Sequence, residues 1–245
     1  MNNLSSDFSK ELQGKPVNTD KPRLFINNGD ATFSDKTHTY GLDRTMYAMG
    51  ANFGDLDNDG FLDFYVGTGA PDLSTVVPNR MFKNEKGKSF IEVSSAGLFG
   101  HIQKGHGIGF ADIDRDGDQD IYAVMGGAYE GDVFSNVLFE NPISDNNWVV
   151  FELLGKSTNR SAIGSRIEIE LDNGRKIYHT IGTGGSFGAS SLQAELGLGS
   201  AKTIRKLTLF WQNGKPQQFD NLNVNTKYRI LEGAGIEEVA YSLIQ

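Results

Sequence analysis

GANFGDLDNDGFLDFYVG (residues 50–67) returns 57 residues later as GIGFADIDRDGDQDIYAV (107–124), and this pair decides the fold. The stretch ahead of each copy repeats as well: RLFINNGDATFSD (23–35) becomes RMFKNEKGKSFIE (80–92). Phe25, Phe82 and Phe139 keep the same interval, as do Phe53 and Phe110. The third copy, NVLFENPISDNNWVVFELLG (136–155), starts in register and then runs into different sequence. Within a unit, Leu62, Phe64 and Val66 alternate with Asp63, Tyr65 and Gly67, the period of a strand. Two strands around the acidic stretch and a following hairpin give about four per unit. Units of this size, each unable to cover its own sheet face, read as β-propeller blades.

From residue 148 a second pattern begins. Ile167, Ile169 and Leu171 alternate with Arg166, Glu168 and Glu170, then comes Asn173-Gly174 and RKIYHTIG (175–182). KLTLFWQ (206–212), Asn213-Gly214 and KPQQF (215–219) repeat the arrangement, and KYRILEG (227–233) adds a strand. Asn-Gly between alternating runs is a hairpin signal. The expected organisation is a mobile polar segment over 1–22, repeat blades over 23–147, a compact all-β module over 148–233, and a tail over 234–245 that frays or forms a short helix.

The acidic stretches carry the chemistry. Asp55, Asp57, Asp59 and Asp63 hold positions 1, 3, 5 and 9 of one loop, with Gly60 at position 6; Asp112, Asp114, Asp116 and Asp120 do the same around Gly117. Four carboxylates so close repel one another unless a cation sits among them. Ca²⁺ takes six to eight oxygens, so the side chains of positions 1, 3, 5 and 9 and the position 7 carbonyls of Phe61 and Asp118 form a candidate ligand set, one ion per loop. Position 12, where an EF-hand needs a bidentate Glu, holds Val66 and Ala123. The loops are therefore read as calcium loops in β-hairpins, two ions per chain.

Phe-Gly/Ala-Asp-x-Asp-x-Asp-Gly-x-x-Asp inside such a blade resembles the FG-GAP/VCBS repeat of integrin-α-like propellers. STNRSAIGSRIEIEL (157–171), GTGGSFGASSLQAELGLG (182–199) and LTLFWQNGKPQQFDNLNVNTKYRILEG (207–233) resemble the ASPIC/UnbV domain that ends proteins of the cartilage acidic protein family. The resemblance implies an all-β chain in which partial FG-GAP-type propeller blades precede a β-sandwich or barrel-like ASPIC/UnbV module. It also implies calcium ligation by the eight aspartates and a non-catalytic interaction or adhesion role outside the cell or in its envelope, toward a protein or glycan ligand. A second reading is an enzyme or accessory protein of a natural-product pathway, with which UnbV-type sequences are also associated. The family's ring has about seven blades and a secretion signal. This stretch of sequence shows two complete loops and no signal, so the remaining blades, or another chain, are expected at its open edge.

Other signals exclude more than they add. With 23 basic and 31 acidic residues, a net charge of −8, the chain has no basic footprint for nucleic acid or anionic lipid. No run of 18 apolar residues provides for membrane insertion, and zero Cys removes disulfides, thiolate metal sites and a thiol nucleophile. Gly184-Gly185-Ser186-Phe187-Gly188 satisfies G-x-S-x-G, but His179 is the last His, so no triad can follow the Ser in the order that motif requires. The four His residues are scattered, without metal-ligand spacing. No catalytic residue is assigned.

Overall fold

The computed structural model describes residues 4–69, 77–127, 130–142, 145–184 and 187–242. A short helix, α1 (Leu4–Leu12), is followed by the strands β1 (Phe25–Asn27) and β2 (Phe33–Asp35), which pair with each other antiparallel. β3 (Ala48–Gly54), β4 (Asp63–Thr68), β5 (Arg80–Asn84) and β6 (Phe90–Glu92) form a four-stranded antiparallel meander. β7 (Gly105–Ala111), β8 (Asp120–Met125) and β9 (Val137–Phe139) form a three-stranded one. The three repeating phenylalanines fall on β1, β5 and β9. The hairpin β1–β2 is thus the equivalent of β5–β6, the outer half of a blade, and β9 is the third strand of a blade with no fourth among the described residues. The blades are partial, as the repeat implied, and no sheet among the described residues closes into a ring.

β4 is buried along its whole length, and the period of 2 divides its side chains between two cores. Phe64 and Val66 pack with Leu42, Met46 and Phe82 on one face, Phe64 stacking on Phe82 with centroids 4.7 Å apart. Tyr65 faces the other way, joining Met81, Ile108, Phe110, Ile121 and Ala123 in the layer between the two blades. Glycine lets the inner strands approach: a Cβ on Gly67 would lie 2.7 Å from the Gly105 carbonyl, and one on Gly50 would lie 1.8 Å from that of His106. Gly50 recurs in the second copy as Gly107, whereas Gly67 gives way there to Val124.

The C-terminal module comprises β10 (Asn147–Leu154), β11 (Arg166–Leu171), β12 (Lys176–Thr180), β13 (Ala194–Gly199), β14 (Thr203–Phe210), β15 (Pro216–Asn223), β16 (Thr226–Leu231) and β17 (Ile236–Val239). It is a sandwich of two four-stranded sheets, ordered β13-β10-β16-β17 and β12-β11-β14-β15, with β10 and β16 parallel and the other pairs antiparallel. Its single core takes the inward residues of both sheets, among them Phe151, Ile167, Ile169, Leu171, Leu207, Leu209 and Ile230. Trp211 is buried in it, and its indole N–H donates to Gln217 Oε1 at 3.0 Å.

Two terminal expectations need correction. The polar N-terminal segment, read as mobile, carries α1, docked on the first blade: the Thr45 amide donates to Glu11 Oε2 at 2.8 Å, and the Arg80 guanidinium lies 5.0 Å from the Phe8 ring centroid. The polar composition of the segment hid this helix and its long-range contacts. Past residue 233, β17 pairs with β16, Ile230 opposite Ile236, so the tail extends the sandwich instead of forming a helix.

Candidate metal sites between the blades and the sandwich

Each acidic loop joins the two innermost strands of a blade, 55–62 between β3 and β4 and 112–119 between β7 and β8. The two loops make the same hydrogen bonds. In the first, Asp55 accepts the amides of Asp59 (3.0 Å) and Gly60 (2.7 Å), Asp57 accepts that of Asp59 (3.3 Å), and Asp59 accepts that of Phe61 (2.9 Å). In the second, Asp112 accepts the amides of Asp116 (3.1 Å) and Gly117 (3.0 Å), Asp114 that of Asp116 (3.2 Å), and Asp116 that of Asp118 (3.0 Å). Left-handed residues close both turns: Asn58 and Gly60 with φ of 53° and 82°, Arg115 and Gly117 with 65° and 103°. Asn and Gly tolerate this region readily, and Arg115 takes it at some strain.

This folding brings ligand atoms of Asp55, Asp57 and Asp59 within 4.8 Å of one another, and likewise those of Asp112, Asp114 and Asp116. Oxygens on opposite sides of a Ca²⁺ ion are separated by about 4.6–5.2 Å, twice the usual bond length, so the spacing and the hard-oxygen donor set fit such an ion. The position 9 aspartates stand apart from these triads. Asp63 accepts the amides of Leu56 (3.1 Å) and Asn84 (2.7 Å), and Asp120 those of Ile113 (2.9 Å) and Asn141 (2.9 Å). They tie the start of each loop to the end of β5 in one case and to the chain just past β9 in the other, a positioning job that spacing alone does not distinguish from ligation. The Phe61 and Asp118 residues at position 7 follow directly on the glycine turn, and the Asp118 side chain is buried.

Burial is the main electrostatic fact. It pushes the Asp55 carboxyl well above the ordinary range, aided by the neighbouring aspartates, and it raises Asp59, Asp112 and Asp116 in the same way. Asp63 is raised to about 7 by burial, against the pull of its two backbone donors. Lys83, on β5, sets its ammonium 2.7 Å from Asp57 Oδ2.

Sequence reasoning missed what covers the loops. The sandwich sits on both. Arg175, in the β11–β12 turn, donates Nη1 to the Asp59 carbonyl at 2.7 Å and lies 4.6 Å from the Phe61 ring centroid. Gly199 donates its amide to the Asn58 carbonyl at 2.8 Å, and Asn146 its side-chain amide to that of Asp57 at 2.7 Å. The loops also touch each other, Asn58 Nδ2 donating to the Gly117 carbonyl at 3.0 Å. Over the second loop, Glu195 of β13 accepts the Asp112 amide and the Gln119 side-chain amide, each at 3.1 Å. Both position 6 glycines are sockets: a Cβ on Gly60 would lie 1.5 Å from Arg175 Nη2, and one on Gly117 would lie 2.0 Å from Trp148 Nε1. The only legible hint was Trp148 at the head of the second module. Of the G-x-S-x-G string, Gly185 and Ser186 lie outside the described residues, while the Phe187 carbonyl accepts the Ile108 amide at 2.8 Å, docking that segment on β7.

Propeller-type blades with paired acidic loops, capped by a two-sheet sandwich, define a modular β protein of the repeat-plus-sandwich kind. Residues 17–66 match the FG-GAP-like repeat and residues 155–237 match the family described as ASPIC and UnbV. The chain thus joins an FG-GAP-like repeat region to an ASPIC/UnbV domain. The first acidic loop falls inside the repeat match as far as residue 66; the second is tied to it by the shared hydrogen-bond pattern. None of the curated proteins compared matches the chain. No helix among the described residues is long and apolar enough to cross a membrane.

Proposed function

We propose that the chain is a calcium-stabilised, non-catalytic interaction module working outside the cell or in its envelope, where the blades and their loops present a surface to a protein or glycan ligand. The observation that carries this reading is the duplicated cradle: two loops with the same hydrogen bonds, each gathering three carboxylates at a separation suited to a hard divalent ion. The FG-GAP-like repeat and the ASPIC/UnbV domain support a repeat-based interaction role, and FG-GAP repeats are typical of extracellular proteins. Asp55, Asp57, Asp59, Asp112, Asp114 and Asp116 would hold the ions, with Asp63, Asp120 and the carbonyls of Phe61 and Asp118 completing or orienting the set. The ion's part would be to cancel carboxylate repulsion and stiffen the loops on which the sandwich rests.

Calorimetric melting in Ca²⁺ and in chelator tests the reading. At ten times Kd each ion adds about 1.4 kcal/mol. A rise in melting temperature with Ca²⁺ that equimolar Mg²⁺ does not reproduce is expected, because Mg²⁺ demands near-ideal octahedral geometry. An unchanged melting temperature would overturn the assignment.

A further inference from the structure

The two loops share a backbone but differ in electrostatic setting. Around the first, four aspartates face two cations: Lys83, bridged to Asp57 at 2.7 Å, and Arg175, held on the Asp59 carbonyl. Glu85 and Lys86 line the same cleft and offset each other. The formal balance there is minus two. The second loop has a fifth aspartate, Asp118, at position 7, and the sandwich brings it a further carboxylate, Glu195, which accepts the Asp112 amide at 3.1 Å. The Tyr241 phenol also faces Asp112, and Arg115, within the loop, is exposed. With Arg115 counted as the one cation, the formal balance is minus five.

Affinity in oxygen-ligand calcium sites follows the charge of the ligand set and the rigidity of the loop. The turns are matched, because the carboxylate–amide hydrogen bonds inside the two loops repeat one for one. Charge is not. In the first loop the Lys83 ammonium already rests against a carboxylate that an ion would need, so an ion must displace or tolerate it. Two positive charges beside the cleft repel a divalent cation. At the second loop Glu195 and Asp118 add attraction, and a bound ion would offset the penalty of burying their neighbours.

Resting on the calcium reading above, we infer that the loop at 112–120 is the tight site and the loop at 55–63 the weak one, and that the sandwich domain sets this order by presenting Glu195 to one loop and Arg175 to the other. The ASPIC/UnbV domain thereby acquires a role: it tunes the two ions in opposite directions. Over a window of calcium concentration, the second loop is filled and the first is empty.

Calcium titration calorimetry of the full chain decides this, with Asp59→Ala and Asp116→Ala each leaving one loop intact. Two binding events separated by about tenfold to a hundredfold are expected; Asp116→Ala removes the tighter and Asp59→Ala the weaker. In the Asp116→Ala background, Lys83→Met and Arg175→Gln should each tighten the remaining site by about threefold to tenfold, while Arg175→Lys, which keeps the charge, leaves it as it was. In the Asp59→Ala background, Glu195→Gln should weaken the remaining site by a similar factor. Lys83 is exposed enough for its variant to fold, so it carries the test if Arg175→Gln does not. Equal affinities, a tighter first loop, or a first loop indifferent to Lys83→Met would overturn the ordering and leave the calcium reading standing. No calcium binding at either loop up to 10 mM, far above the usual range, would overturn both.

Discussion

Stripped of metal, the protein should lose stability as pH rises from 5 to 7. Asp63 drives this. It is buried and titrates at about 7 in the fold, against 3.8 for a free carboxyl. A raised carboxyl pKa means that the folded state binds a proton the unfolded chain has already released, so stability is greatest below about pH 4 and is withdrawn through the folded pKa. The full displacement of about three pKa units corresponds to about 4 kcal/mol, of which about 2–3 kcal/mol falls between pH 5 and 7. For a chain of this size that lowers the melting temperature of the transition containing the blades by about 5–10 °C. Asp55, Asp59, Asp112 and Asp116 are displaced in the same direction and deepen the effect. Saturating calcium should remove the loss, since an ion holds these groups ionised. Differential scanning calorimetry across pH 5 to 7.5, in metal-stripped buffer and in 10 mM CaCl₂, provides the comparison. A metal-free melting temperature that stays flat or climbs over this range would refute the reasoning.

Gly60→Ala and Gly117→Ala should each lower stability by about 2 kcal/mol or more, since a Cβ is disfavoured at positive φ and meets Arg175 or Trp148; denaturant melts check this, and Gly174→Ala, also at positive φ but with open space around it, should lose less. Glu232 accepts the amides of Lys156, Ser157 and Thr158, and its carboxyl is held down to about 2, the Ser157 hydroxyl contributing most. Its contribution is therefore present above the ordinary Glu pKa and lost as pH falls toward 2, so the parent should lose more stability than Glu232→Gln between pH 5 and 2.5. The unpaired edges of the partial blades should drive concentration-dependent association of the isolated chain, seen by analytical ultracentrifugation; a monomer with strong hydrogen-exchange protection at Leu24 to Asn27 would contradict it.

Most of the architecture was legible because its signals are local or periodic. The interval of 57 between Phe25, Phe82 and Phe139 marked equivalent strands, and the Asn-Gly pairs at 173 and 213 marked hairpins that the structure contains. What stayed hidden depends on contacts distant in sequence. β13 reads as Ala-Glu-Leu-Gly-Leu-Gly, with glycines that argue against a strand, yet a Cβ at Gly197 would lie 2.2 Å from Asp55 Oδ2. The glycine is there for the loop it touches, more than 140 positions earlier. Arg175 likewise reads as an ordinary residue after a turn. Of the candidate ligands, the alternating aspartates at positions 1, 3 and 5 could be picked out because their spacing dictates convergence. The separate duty of Asp63 and Asp120 could not, because it rests on the amides of Asn84, at the end of β5, and Asn141, just past β9, each 21 residues further along the chain.

The way the sandwich grips the loops also says what it can sense. Its contacts fall largely on backbone: the carbonyls of Asp57, Asn58 and Asp59, the amide of Asp112, and the bare faces of Gly60 and Gly117. Such contacts read chiefly the path of the chain, with Gly197 against Asp55 Oδ2 the contact that also reads a carboxylate. A loop splayed by carboxylate repulsion would misplace these backbone partners together, since they lie within a few residues of one another. The two domains therefore share one mechanical requirement, loops held in this turn, and by linkage whatever holds the loops also holds the sandwich on the blades. On the proposed calcium reading, the same coupling would let an ion bear on a surface that spans both domains without touching whatever binds there.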